Sequence, residues 1–230
     1  MIAHQACRET IDFGELLGRR QAILARLHDT GIDLSIETRH AHHVEFIEIV
    51  GRDGQEADAL EEAATGLGAA GIAVSVVSAG STPTALRSAR GTVTEERPGT
   101  YIFGDAIQVG LGSMPAEAVA LTVAATVIST EVDGQFVVDA GAKVLSKDTA
   151  AYLDGHGLIL GWPEARLTRL NDYHGIAEVP AGSARPVVGE VVSIMPNHVC
   201  PVVNLVDELV MVRAGEIVGR WPVDARGRNG

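Results

Sequence analysis

The chain has 230 residues, 46% of them apolar and only 4% aromatic, with a formal net charge of −12. That length supports one large domain or two small ones around a real core, and the acidic balance argues against a nucleic-acid partner, whose phosphates need a basic surface. No run has transmembrane length, no basic amphipathic stretch suggests a membrane surface, and the N-terminal MIAHQACRETIDFG lacks the apolar core of a secretion signal.

Cys7 and Cys200 are the cysteines, so a disulfide framework is not expected and a reducing cytoplasm is the expected setting. Gly14–Thr30 carries Leu16, Leu17, Ile23, Leu24 and Leu27 at helical spacing, which predicts an amphipathic helix. Val44–Val50 reads as a short strand. Between them His40, His42 and His43 cluster. His40 and His42 would share a strand face, but no cysteine, aspartate or third histidine stands at a useful spacing, and a solvated loop is the plainer reading.

Gln55–Ala70 is rich in Ala and Glu and predicts a helix ending at Gly71. Ile72–Ser78 (IAVSVVS) predicts a buried strand, apolar and β-branched. Gly80-Ser81-Thr82-Pro83 closes it, and Thr84–Arg90 starts another helix. Thr100–Phe103 predicts one more strand, followed by a polar loop through Gly104 and Asp105. The αβα order over residues 1–112 is that of an α/β (TIM-like) barrel segment.

The pattern changes at Gly112–Pro115. Ala118–Ser129 is almost continuously apolar. Phe136–Asp139, Leu158–Leu160, Gly175–Val179, Glu190–Met195, Val202–Val206, Glu208–Arg213 and Glu216–Trp221 read as closely spaced short strands. Ala214-Gly215 reads as a tight hairpin turn between the last two. Residues 113–230 are therefore expected to form an all-β, barrel-like domain.

Three groups of residues carry candidate chemistry. The first is His198 and Cys200, in MPNHVCP. On an extended strand, i and i+2 share a face, so imidazole and thiol would aim at one point, and Zn²⁺ favours that N and S pair. Two protein ligands would leave positions open for substrate and water. On spacing alone the plainer reading is a half-buried histidine and a small buried cysteine between Pro196 and Pro201. The second group is Gly80, Ser81 and Thr82, whose N–H and hydroxyl groups after a barrel strand would cup a phosphate, or simply form a turn that caps a helix. The third is Lys143 and Lys147, which are the only lysines.

Several segments in order resemble one family. They are SAGSTPTA (78–85), ERPGTYIFGDAIQ (96–108), FVVDAGAKVLSKD (136–148), HGLILGWPEARLTRLNDYHGIAEVP (156–180) and PNHVCPVVNLVDELVMV followed by GRWPVDARGR. Together they resemble the D-serine dehydratase and D-threonine aldolase family, whose members are fold-type III, alanine racemase-like enzymes. The resemblance covers about Ala70 to Arg228.

It implies a lyase acting on β-hydroxy D-amino acids with pyridoxal 5'-phosphate and a divalent metal, Zn²⁺ or else Mn²⁺ or Mg²⁺. It implies a phosphate site at Gly80, Ser81 and Thr82, with Tyr101 near the cofactor, and metal ligands at His198 and Cys200. Asp139 falls in the matching DAGAK segment, where capping a turn is the simpler role. The family's Schiff-base lysine lies on the first barrel strand. Lys143 and Lys147 match later positions, so no catalytic lysine is expected here. About 70 residues precede SAGSTPTA, too few for the early barrel. The chain is therefore expected to be truncated or split, pairing as a homodimer or with a missing N-terminal half. The alternative is an inactive metal-binding or interaction module.

Overall fold

The computed structural model describes residues 55–228, and everything below concerns these. The chain divides into two units, Met1–His42 and His43–Gly230, and the described residues fall in the second. The helix read at Gly14–Thr30, the histidine cluster at His40–His43 and the strand at Val44–Val50 lie outside them. No helix among the described residues is long and apolar enough to cross a membrane.

Helix α1, Gln55–Ala69, begins with Glu56 and Asp58 in its first turn, where acidic side chains complement the helix dipole. It ends at Gly71, whose φ is 79°. The buried strand expected over Ile72–Ser78 is much shorter. Only Ser78–Ala79 (β1) pairs, in parallel, with Glu95–Glu96 (β2). Val74 and Val76 are exposed, because a parallel strand is buried only where neighbours and helices cover both faces, and the pairing here has two rungs on one side. Helix α2, Ala85–Ser88, follows Thr84 as expected. Thr100–Ile102 is a 3₁₀ turn and not the expected strand. Thr82 explains it: its Oγ1 accepts the Tyr101 N–H at 3.1 Å and bonds the Thr100 hydroxyl at 2.7 Å. Helix α3, Ala106–Gly110, starts at Asp105.

The remaining chain is built on a six-stranded antiparallel sheet: β3 (Val123–Ser129), β4 (Gln135–Val138), β5 (Gly157–Ile159), β6 (Arg166–Leu170), β7 (Gly175–Glu178) and β8 (Val191–Pro196). Their spatial order is β5-β8-β3-β4-β7-β6. Burial alternates along β3, with Val123, Ala125 and Val127 inward, as a sheet with one covered face requires. Phe136, Val138, Leu167, Ala177 and Ile194 are completely buried. Each large side chain among them contributes roughly 1.5–3 kcal/mol through burial.

The two edge strands nearly meet. The His156 N–H, just before β5, donates to Leu167 O on β6 at 2.9 Å. Gly155 makes this approach possible. Its φ is +87°, and a Cβ there would sit 2.7 Å from Leu167 O. The sheet is thus barrel-like, nearly closed on itself, and closure removes exposed edges. β6 was not legible as a strand, because Thr168 and Arg169 interrupt its alternation.

A short helix, α4 (Ala142–Leu145), links β4 to the segment before β5. After β8 comes helix α5, Val199–Leu205, and then the hairpin β9 (Glu208–Arg213) and β10 (Glu216–Pro222). Ala214 and Gly215 have φ of 50° and 85°, which is the type I′ geometry expected at that turn. Two sequence expectations fail at α5. Val202–Leu205 is helix, not strand, and His198 and Cys200 do not share a strand face, because β8 ends at Pro196. Pro201 sits in the first turn of the helix, where a missing N–H costs no intrahelical bond.

Candidate functional site

His198 is the N-cap residue of α5, extended at φ −134° and ψ 118°. Cys200 is one residue inside the helix and is exposed. The helix start still brings the two side chains together. The His198 imidazole is drawn well above its usual range, to about 9, first by its hydrogen bond with the Cys200 sulfur and then by Asp148, against a lowering effect of burial. His198 Nδ1 lies 2.6 Å from Asp148 Oδ2. The carboxylate can only accept, so Nδ1–H donates.

Two buried residues hold this arrangement. Asn197, 2% exposed, donates from Nδ2 to Asp148 O and to Gly155 O, both at 2.9 Å. Its own carbonyl accepts the Ile107 N–H at 3.1 Å. Asp105 is fully buried. It accepts the Gln108 N–H at 2.9 Å through Oδ1 and the Val199 N–H at 3.0 Å through Oδ2. One carboxylate therefore caps both α3 and α5.

Sequence reading missed Asp148, Asn197 and Asp105 as parts of the site. Asp148 closes the FVVDAGAKVLSKD segment, which is where a signal was available. Among the described residues no three of His, Cys, Asp and Glu converge as a ready cation cage. The donor set is His198 and Cys200, with Asp148 behind the histidine. It is a nitrogen and sulfur pair with a carboxylate second partner, which suits an open zinc site in which other positions are filled from solution.

The Gly80 turn is arranged differently. Gly80 has φ 98°. Its N–H donates to Glu56 Oε1 at 2.9 Å, and a Cβ at this position would run into the Glu96 carboxylate. Ser81 bonds Thr84, hydroxyl to hydroxyl, at 3.1 Å. Thr82 is taken by Thr100 and the Tyr101 N–H, so Thr82 and Tyr101 do meet, with the Tyr101 side chain more than half exposed. Glu56 Oε2 and both oxygens of Glu96 are buried without partners. A phosphate dianion placed here would face two carboxylates, and the N–H it needs is already given to one of them. The turn, as folded, does not fit the cofactor's phosphate.

Lys143 Nζ bonds Tyr173 Oη at 2.9 Å and lies 3.3 Å from Asp172. These two partners, Tyr173 first, hold its ammonium above the usual lysine range. Asp139 is structural. Its carboxylate accepts the Thr126 N–H at 2.6 Å, and its own N–H donates back to Thr126 O at 3.0 Å.

Residues 120–212 match the family model described as a putative serine dehydratase domain. An uncharacterized protein of Mycobacterium tuberculosis (strain ATCC 25618 / H37Rv) is 39% identical over 132 residues, covering 56% of this chain and 99% of that protein. D-threo-3-hydroxyaspartate dehydratase of Delftia sp. (strain HT23) is 36% identical over 200 residues, covering 78% of this chain and 53% of the enzyme. Its solved structure superposes with a TM-score of 0.65 at 36% identity, over 73% of this chain and 48% of that one. D-threonine aldolase of Arthrobacter sp. is 34% identical over 161 residues, covering 68% of this chain and 41% of the aldolase. The chain thus spans about half the length of the curated enzymes it matches.

Two variants of D-threo-3-hydroxyaspartate dehydratase also superpose. One has a histidine replaced by alanine (TM-score 0.66, 34% identity, 77% of this chain, 50% of that one). The other has a cysteine two positions further on replaced by alanine and is described as metal-free (TM-score 0.63, 32% identity, 76% of this chain, 53% of that one).

Proposed function

The chain belongs to the D-serine dehydratase and D-threonine aldolase family, and we propose on that premise that it carries the metal-binding part of a lyase acting on β-hydroxy D-amino acids. The observation that carries this reading is the His198–Cys200 pair at the start of α5, backed by Asp148. The relative whose cysteine variant is described as metal-free, with a histidine two positions earlier also singled out, supports it.

A divalent metal at this pair would supply Lewis-acid polarisation of the substrate's β-hydroxyl. The chain's own residues do the rest. Asp105 and Asn197 fix the helix start, so the two donors are set before metal or substrate arrives. Cys200, exposed at the helix start, keeps the pair open to a ligand from solution. Asp148 holds the Nδ1 proton of His198. The lysine that carries pyridoxal 5'-phosphate in this family has no counterpart at Lys143 or Lys147, and the Gly80 turn is filled by Glu56. That part of the chemistry must come from outside the described residues.

The second reading is a metal-binding module without lyase activity, and the Glu56 contact at Gly80 favours it over an active cofactor site. Calorimetric titration of the whole chain with Zn²⁺ tests the metal reading shared by both. One ion per chain is expected, with loss of binding in Cys200→Ala and in His198→Ala. Unchanged binding in both variants would overturn it.

A further inference from the structure

His198 has two ring nitrogens, and the fold decides which one is left for a metal. Nδ1 is committed to Asp148 Oδ2, so once the ring gives up its second proton the lone pair lies on Nε2. Asp148 is not there by chance of a surface rotamer. Ser146, two residues earlier, holds φ 62°, a region a residue other than glycine seldom occupies. The Asp148 N–H then donates to Ser146 Oγ at 3.2 Å. The Asp148 carbonyl is fastened to the buried Asn197 side chain, next in sequence to His198. The backbone is thus anchored through atoms other than the carboxylate, and the carboxylate has one visible task.

Resting on the metal reading above, we propose that Asp148 is a positioning residue for His198. Its carboxylate fixes the ring with Nε2 as the metal donor and strengthens that donor by holding the Nδ1 proton. Because the backbone anchor does not involve the carboxylate, replacing the side chain leaves the Asn197 bond in place.

The test is Zn²⁺ titration of the whole chain and of its Asp148→Ala, Asp148→Asn and Cys200→Ala variants, with ring ¹⁵N NMR of the zinc-loaded protein. In the wild-type chain zinc sits on Nε2. Asp148→Ala is expected to weaken binding about 10- to 100-fold and to lose the single Nδ1–H form. Asp148→Asn, whose amide oxygen still accepts from Nδ1–H, is expected to keep zinc on Nε2 with a smaller loss. An Asp148→Ala chain that binds zinc through Nε2 as tightly as wild type overturns the proposal. If that variant does not fold, the isosteric Asp148→Asn decides: weaker binding at an unchanged melting temperature supports the proposal, and unchanged affinity overturns it. Zinc binding that survives Cys200→Ala sinks the metal reading itself, which is a distinct outcome.

Discussion

The Asp105 carboxylate accepts the Val199 N–H at 3.0 Å across 94 residues of sequence. The same carboxylate caps α3 through Gln108. It therefore ties α3 to the helix that presents His198 and Cys200. Asp105→Ala removes two helix caps at a buried position and is expected to destabilise the protein by roughly 2–4 kcal/mol. Urea unfolding measures this. Asp105→Asn, which keeps one acceptor, should cost less.

Asn197 is the second anchor. Replacing it with Ala leaves the carbonyls of Asp148 and Gly155 without their donor, at a cost of roughly 1–3 kcal/mol. Zinc affinity should fall as well, because the segment bearing Asp148 is freed from the His198 strand end. A variant with wild-type stability and wild-type zinc affinity would show that the anchor is redundant.

Much of the barrel was legible, and the reasons are local. β3, β4 and β7 bury alternate residues, and Val123, Ala125 and Val127 announce the inward face in sequence. The β9–β10 turn was legible because Ala214-Gly215 separates two apolar runs. Helix α5 was not. Val202 and Val203 read as strand residues, and the cap that starts the helix comes from Asp105, far away in sequence. The 3₁₀ turn at Thr100 was hidden likewise, since the hydroxyl that organises it belongs to Thr82. At the site, His198 and Cys200 were singled out by the family resemblance and not by their spacing, and the strand expected to carry them is a helix start. The partner carboxylate of Asp148 was not, because its contact spans 50 residues.

The lysines give a third prediction. Lys143 is tied to Tyr173 and Asp172, partners that favour its ammonium over the free amine a Schiff base needs. Incubation with pyridoxal 5'-phosphate followed by borohydride should leave no stoichiometric label. Mass spectrometry that finds a full label on Lys143 or Lys147 would contradict the absence of a cofactor lysine in this chain.

His198 gives a fourth, in the metal-free protein. Its folded value, about 9, lies above the ordinary 6.5. The imidazolium's contribution to stability is thus fully present below about 6.5 and is lost as pH rises toward 9. The melting temperature of EDTA-treated wild type, relative to His198→Gln, should fall across that window. The sign reverses for metal binding, since zinc must displace the proton. Apparent zinc affinity should rise by at least about tenfold per pH unit between 7 and 9, since the histidine proton, and the Cys200 thiol proton where it is present, must leave. A flat affinity profile there would mean that His198 is not a ligand.

X-ray absorption of the zinc-loaded chain tests the central claim most directly. One sulfur at about 2.3 Å and one imidazole nitrogen at about 2.0 Å are expected, with no protein-bound zinc retained by Cys200→Ala or His198→Ala. A zinc shell made only of oxygen and nitrogen in the wild-type chain, unchanged in Cys200→Ala, would contradict the assignment of His198 and Cys200 as the metal pair.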